Sequence, residues 1–139
     1  MIAFDTDILS EICAEHPVYT SRAAAIPRDE QAVPVVAAAE MIRGWLAAIR
    51  SAESGKGKMS LEFAFDMFTR SMSNAASYRM LPYTTESHRR YETLRAANIR
   101  IGTNDLRIAA ICLAHNAKLV TRNARDYALV PGLNLDVWN

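Results

Sequence analysis

The sequence has little of what marks disordered, disulfide-stapled or membrane-spanning chains. Of its 139 residues, five are Gly, five are Pro and two are Cys, and half are hydrophobic, so the composition is not that of a disordered chain. Cys13 and Cys112 form no CxxC pair and no zinc spacing, and we expect two buried thiols. No apolar run approaches the roughly 20 residues that a membrane span needs.

The length and the N-terminus limit the organisation of the chain. A chain of 139 residues fits one compact domain, and no convincing linker or repeat divides residues 1–139. Asp5 and Asp7 interrupt the apolar start, so the pattern of a signal peptide is absent and we expect a cytoplasmic protein.

Charge is unevenly distributed, although the net charge is only +1. Residues 1–49 contain seven acids and three Arg, a net charge of −4, whereas residues 50–139 contain thirteen bases and eight acids, a net charge of +5. A nuclease with an acidic metal pocket beside a basic substrate track would show this asymmetry.

Short apolar stretches alternate with longer stretches of helical period. Strands are predicted for the run ending at Asp5 and for residues 32–37, 118–121 and 133–138, with a short strand or turn at 81–84. Helices are predicted from near Asp7 and over residues 39–52, 59–80, 86–98 and 105–117, with a short helix and loops at 16–31 and loops at 54–58 and 124–133. This alternation predicts an α/β fold with a parallel sheet flanked by helices on both faces.

Several side chains have predicted structural roles in these elements. Asp7 is interpreted as the N-cap of the first helix, since Asp is favoured there. Asn116 stands where a left-handed residue would end its helix. The helical spacing of Leu61, Phe65 and Phe68 predicts contacts with the core.

Acidic and amide side chains lie near the predicted strand ends. Asp5 ends the first strand, Glu40 is interpreted as a first-turn residue of the helix after the second strand, and Asp105 opens a later helix; Asn123 and Asp126 follow the strand at 118–121. Open α/β sheets bind ligands at the carboxyl ends of their strands. Taken singly, these side chains have ordinary alternatives as helix-dipole or turn residues, although an acid that ends a buried strand needs a partner.

Clustered carboxylates repel one another, and a cation removes that cost. Ligand sets made only of oxygen favour hard cations such as Mg²⁺ or Mn²⁺. Such ions suit phosphodiester cleavage, because they activate water and stabilise charge on the phosphate.

Several segments resemble PIN-domain ribonucleases, in particular the VapC toxins of bacterial toxin–antitoxin systems. FDTDIL (residues 4–9) is similar to their opening motif, with Asp7 where Asn is usual, and VVAAAEMIRG (35–44) resembles the segment that contains their second acid. LPYTTESHRRYETLRA (81–96) and IGTNDLRIAAICLAHNAKLVTRNARDYALVPGLNLDVW (101–138) resemble their C-terminal region almost throughout. The resemblance covers both ends well and residues 16–80 loosely.

The resemblance implies a PIN-like fold in which Asp5, Glu40 and Asp105 hold Mg²⁺ or Mn²⁺. Asn123 stands where many PIN domains have a fourth acid and many VapC toxins have Asn, and Asp126 is the nearby carboxylate that could substitute. The implied activity is cleavage of structured RNA, such as tRNA or rRNA, by a metal-activated water. The implied partners are a small VapB-like antitoxin and a second copy of the chain.

Further side chains are candidates for supporting this site or contacting RNA. Thr121 is a candidate to hydrogen-bond Asp5 or a bound water, with an ordinary strand-end Thr as the alternative. Backbone phosphates require cationic contacts, for which the candidates near the site or the 54–58 loop are Arg43, Lys56, Lys58, Arg122 and Arg125. The candidates for stacking on bases are Tyr83, Tyr127 and Trp138, although partial burial is the ordinary role of each.

Other functions remain open from the sequence. DTD at residues 5–7 also resembles the DxD of haloacid-dehalogenase phosphatases, but no paired acids follow Lys118, the only Lys after residue 58. A receiver domain would require a Lys after a late strand, which is absent. A catalytically weakened RNA- or partner-binding module is the non-enzymatic alternative, favoured by Asn123 in place of an acid.

Overall fold

Five strands and seven α-helices make up most of the chain. The computed structural model describes residues 1–139. The strands are β1 (Ile2–Phe4), β2 (Gln31–Pro34), β3 (Arg79–Leu81), β4 (Lys118–Thr121) and β5 (Leu135–Val137). The helices are α1 (Thr6–Cys13), α2 (Pro17–Ala24), α3 (Val35–Glu53), α4 (Leu61–Ala76), α5 (Thr85–Ala96), α6 (Thr103–His115) and α7 (Ala124–Tyr127), with one 3₁₀ turn at Arg28–Glu30.

The strands form one sheet in the order β3-β2-β1-β4-β5, and every neighbouring pair is parallel. In the central register, Ala3 lies between Ala32 and Leu119. Since all strands run the same way, their carboxyl ends meet at one edge. The predicted parallel sheet is therefore confirmed.

Both faces of the sheet are covered by helices. Because successive strand residues point to opposite faces, Ala3, Ala32 and Leu119 pack in one core with residues of α5 and α6. Phe4, Val33 and Val120 pack in a second core with residues of α1 to α4. This arrangement confirms the prediction of helices on both faces. No helix is both long enough and apolar enough to cross a bilayer.

Three predicted boundaries were wrong. Strand β2 ends at Pro34, which is the N-cap of α3, so residues 35–37 are helical rather than extended. Strand β3 covers 79–81 instead of 81–84. Residues 124–127 form the short helix α7 instead of a loop, because the Asn123 side chain accepts a hydrogen bond from the backbone of Asp126.

Two predicted side-chain roles were also wrong, and two others were confirmed. Asp5, not Asp7, is the N-cap of α1. Leu61 and Phe65 are 39% and 47% exposed, because α4 instead buries its small side chains Ala64, Ser71 and Ala75. Phe68 is half-buried. Asn116 has the predicted left-handed conformation, with φ of 52°, and both cysteines are buried as expected.

Candidate active site

The acidic side chains predicted for the site lie around the carboxyl edge of the sheet. Asp5 directly follows β1, and its backbone N–H donates to the carbonyl of Val120 in β4 at 2.9 Å. Glu40 lies in the second turn of α3, not the first, because that helix already begins at Val35. Asp105 lies in the first turn of α6.

Asp5 is the most buried of these acids, with 5% of its surface exposed. Its Oδ1 accepts hydrogen bonds from the backbone N–H of Thr6 at 2.8 Å and from the hydroxyl of Tyr127 at 3.2 Å. Its Oδ2 accepts from Oγ1 of Thr121 at 2.7 Å, which confirms the predicted contact. Burial nevertheless dominates and raises the pKa of the Asp5 carboxyl from 3.8 to about 6.

Asp105 shares one of these donors. Its Oδ1 accepts a hydrogen bond of 3.2 Å from the same Tyr127 hydroxyl. Burial raises the pKa of Asp105, and the negative charges of Glu40 and Asp126 raise it further. Asp5 and Asp105, 100 residues apart in sequence, therefore meet at a single phenol.

Thr6 connects Glu40 to Asp5 through hydrogen bonds. Oγ1 of Thr6 donates to Oε1 of Glu40 at 2.9 Å, while the backbone N–H of Thr6 donates to Oδ1 of Asp5, the N-cap of α1. Sequence reasoning missed Thr6, although its place between the two acids of the DTD motif was a usable signal. It also missed that the Tyr127 hydroxyl contacts the acids, for which no pattern in the sequence gives a sign.

Asn123 and Asp126 contact each other. Nδ2 of Asn123 donates to Oδ2 of Asp126 at 3.1 Å, and its Oδ1 accepts from the backbone N–H of Asp126 at 3.4 Å. The amide of Asn123 therefore orients the Asp126 carboxylate. The charge of Asp126 acts on Asp105, so this carboxylate lies within electrostatic reach of the other acids.

An open cleft of about 430 Å³ adjoins the acids at the N-terminus of α6. Glu40 and Asp105 line it together with two cationic side chains, Arg43 and Arg107. Nη1 of Arg107 donates to Oδ1 of Asn104 at 3.0 Å, which holds the guanidinium beside the cleft. Cations and a helix N-terminus beside carboxylates suit a phosphate that is bound next to a metal ion.

The other predicted RNA contacts lie outside this cleft. Arg122 pairs with Glu11 at 3.4 Å, and Arg125 is exposed on α7. Lys56 and Lys58 lie in the loop beyond the C-terminus of α3. That end of the helix is about 20 Å along the helix axis from Glu40. Arg43 is therefore the one predicted cation that lines the cleft, and Arg107 was not predicted from the sequence.

The three aromatic candidates for base stacking are not freely exposed. Tyr127 is fully buried and Trp138 is 3% exposed, so neither ring can stack on a base as the fold stands. Tyr83 is half-buried, and its hydroxyl lies 3.0 Å from Nδ1 of His88.

The potential ligand atoms in this site are of the chemical type that Mg²⁺ or Mn²⁺ prefers. All are carboxylate or amide oxygens, the ligands that hard cations favour. Burial raises the pKa of both Asp5 and Asp105. No three Asp, Glu, His or Cys side chains are arranged to hold one ion. Mg²⁺ commonly takes one or two carboxylates and completes its shell with waters and phosphate, so a pair of acids is sufficient.

The chain matches the family model of the PIN domain over residues 2–132. Over 46 residues it is 41% identical to Ribonuclease VapC2 of Rickettsia felis, a segment that spans 33% of this chain and 34% of that protein. The chain spans only that third of the curated relative it matches.

The solved structures of VapBC2 and FitAcB share the whole fold. The structure of VapBC2 from Rickettsia felis bound to a promoter DNA fragment superposes with a TM-score of 0.75 at 24% identity, covering 100% of both chains. FitAcB from Neisseria gonorrhoeae superposes with a TM-score of 0.77 at 17% identity, covering 100% of this chain and 97% of the other. At these identities the likeness concerns the fold.

Proposed function

The chain belongs to the PIN-domain family, and on that basis we propose that it is a divalent-metal-dependent endoribonuclease, the VapC-type toxin of a toxin–antitoxin pair. The main supporting observation is the convergence of Asp5 and Asp105 on one hydroxyl at the carboxyl edge of the sheet. The similarity to a protein named as a ribonuclease supports the class of activity.

In this proposal Asp5 and Asp105 ligate Mg²⁺ or Mn²⁺ directly. Glu40 ligates the ion or holds a water, in an orientation that its hydrogen bond from Thr6 favours. Asp126, oriented by Asn123, holds a further water or a second ion. When bound, the metal would activate water for attack on the phosphate and offset the developing charge.

The proposed substrate is structured RNA, such as tRNA or rRNA, cleaved at a single-stranded site. Arg43 and Arg107 line the cleft beside Glu40 and Asp105, where they would contact backbone phosphates. Net positive charge over residues 50–139 favours approach of a polyanion.

The proposed protein partners are a small VapB-like antitoxin and a second copy of the chain. Support for the antitoxin comes from solved structures that share the fold, among them members of the VapBC family of toxin–antitoxin systems. Helix α4 also exposes large apolar side chains, as contact surfaces do, namely Leu61, Phe63, Phe65 and Met72. Light scattering of the purified chain, alone and with its antitoxin, tests both partners.

A binding module without catalysis is the second candidate. It is favoured by the lack of three metal-binding side chains arranged around one point and by the amide at Asn123. Such a module would bind RNA in EDTA as well as in Mg²⁺ and would not cleave it.

The deciding experiment is cleavage of total RNA by the purified chain in Mg²⁺, Mn²⁺ or EDTA. Asp105→Asn keeps the size of the side chain but removes a proposed ligand, and Asp29→Asn is the matched control at an exposed position. We expect cleavage that requires metal and Asp105 and is unchanged in the control. Full activity of Asp105→Asn, or cleavage in EDTA, would refute the proposal.

A further inference from the structure

We infer that Tyr127 is a positioning residue of the acid site, whose hydroxyl holds the Asp105 carboxylate where a cation can be shared with Asp5. The inference rests on the proposed metal-dependent function. It assigns a role to a residue that contacts neither RNA nor the ion itself.

The position of Tyr127 is fixed by its burial. It is the last residue of α7, and its side chain is fully buried in the core on the α5–α6 side of the sheet. Its hydroxyl oxygen lies 3.2 Å from Oδ1 of Asp5 and 3.2 Å from Oδ1 of Asp105. A phenol has one proton, so the two carboxylates share it, and their separation is limited by these two contacts.

The two acids depend on this hydroxyl to different degrees. Asp5 also accepts hydrogen bonds from Thr6 and Thr121, which hold its carboxylate without Tyr127. The Tyr127 hydroxyl is the one hydrogen-bond donor that the Asp105 carboxylate has in the protein. Without it, repulsion from the neighbouring acids would turn Asp105 towards solvent.

A hydrogen bond from Tyr127 is compatible with metal ligation. Each carboxylate oxygen has two lone pairs, so an Oδ1 atom can accept from the hydroxyl and still ligate a cation. Partners that orient metal ligands in this way commonly change metal affinity by about 10–100-fold when they are removed.

The competing explanation is that the hydroxyl merely satisfies its own hydrogen-bonding need in the core. Tyr78 provides the matched control. Its ring is 7% exposed and packs edge-to-face on Phe4 with centroids 5.9 Å apart. It precedes β3, at the opposite edge of the parallel sheet from the acids. Tyr78→Phe therefore removes a phenolic hydroxyl from a buried ring without touching the site.

The test is calorimetric titration of the antitoxin-free chain with Mn²⁺, for wild type, Tyr127→Phe and Tyr78→Phe. We expect Tyr127→Phe to bind Mn²⁺ about tenfold more weakly and Tyr78→Phe to bind as wild type does. RNA cleavage by Tyr127→Phe should then recover as Mn²⁺ is raised, with an unchanged KM for RNA. Unchanged or tighter binding by Tyr127→Phe would overturn the inference, whereas absence of binding by wild type would refute the proposed function instead.

A second measurement does not depend on the folding of the variant. Wild-type chain labelled with 3-fluorotyrosine contains five fluorinated rings. Single Tyr→Phe variants at the other four positions assign their resonances and leave that of Tyr127 by elimination. Titration with Mg²⁺ should move the resonance of Tyr127 with the midpoint found by calorimetry and leave that of Tyr78 in place. A Tyr127 resonance that does not respond while the ion binds would contradict the role.

Discussion

Oγ1 of Thr121 donates a hydrogen bond of 2.7 Å to Oδ2 of Asp5, joining the ends of β4 and β1 across 116 residues of sequence. Thr121 is fully buried, and the same oxygen accepts from the backbone N–H of Asn123 at 2.9 Å. One hydroxyl thus orients the most buried acid and the start of α7. Its loss should affect both stability and catalysis.

Thr121→Val removes this hydroxyl but keeps the size of the side chain. The variant leaves Oδ2 of the buried Asp5 carboxylate and the backbone N–H of Asn123 without their hydrogen-bond partner. We therefore expect the free energy of unfolding to fall by about 2 kcal/mol and RNA cleavage to be reduced. Thr121→Ser keeps the hydroxyl and should retain most of the activity. Urea unfolding and RNA cleavage measure the two effects, and equal activity in the Val and Ser variants would show that the hydroxyl has no role.

Asp5 should lower the stability of the metal-free chain at neutral pH. The pKa of its carboxyl is about 6 in the folded chain, against 3.8 ordinarily. Between these values the folded state binds more protons than the unfolded state, so the free energy of unfolding falls as pH rises from about 4 to about 6. Asp5→Asn should therefore stabilise the chain at pH 7 by about 3 kcal/mol and have no effect near pH 4.

Thermal unfolding in EDTA between pH 4 and pH 8 tests this dependence. Asp29→Asn, at an exposed position, is the control and should follow wild type throughout. Mn²⁺ should raise the midpoint for wild type but not for Asp5→Asn, because only a chain that binds the ion gains stability from it. If Asp5→Asn were less stable than wild type at pH 7, the ionised Asp5 carboxylate would not lower the free energy of unfolding.

The parallel sheet and the general position of the acids could be predicted because both depend on local patterns. Apolar runs alternate with helical periods, and parallel strands place their carboxyl ends at one edge. The hydrogen bond from Thr121 to Asp5 was predictable for the same reason, since both residues end neighbouring strands. Asn116 has the sequence context of a helix C-cap, which is also local.

The features that could not be predicted depend on how distant elements pack. Tyr127 meets Asp105 only because the tertiary fold brings α7 to the first turn of α6, and nothing in the order of residues shows this. In α4, Leu61, Phe65 and Phe68 were expected to contact the core, but the fully buried residues are the small ones, which allow the helix to pack closely. Asp5 caps α1 in place of Asp7 because the helix begins one residue earlier than the apolar pattern indicates.

Asn123 and Asp126 should have separable roles. Asp126→Asn removes a carboxylate whose negative charge repels that of Asp105. We expect the rate of RNA cleavage to fall about tenfold, with little change in the free energy of unfolding. Asn123→Ala removes the N-cap of α7, and we expect about 1 kcal/mol lower stability. Asn123→Ser keeps a capping oxygen and serves as the control for stability. Wild-type cleavage by Asp126→Asn would place this acid outside the reaction.

Arg43 should contribute to RNA binding more than the lysines of the 54–58 loop do. Arg43 lines the cleft that contains Glu40 and Asp105, whereas Lys58 lies beyond the distant end of α3. In an Asp105→Asn background, which prevents cleavage, Arg43→Ala should weaken RNA binding and reduce the slope of log K against log salt by about 1. Lys58→Ala is the matched loss of one exposed cation and should leave the slope unchanged. Equal effects of the two substitutions would mean that RNA responds to overall charge and not to the cleft, because a long-range field treats every exposed cation alike.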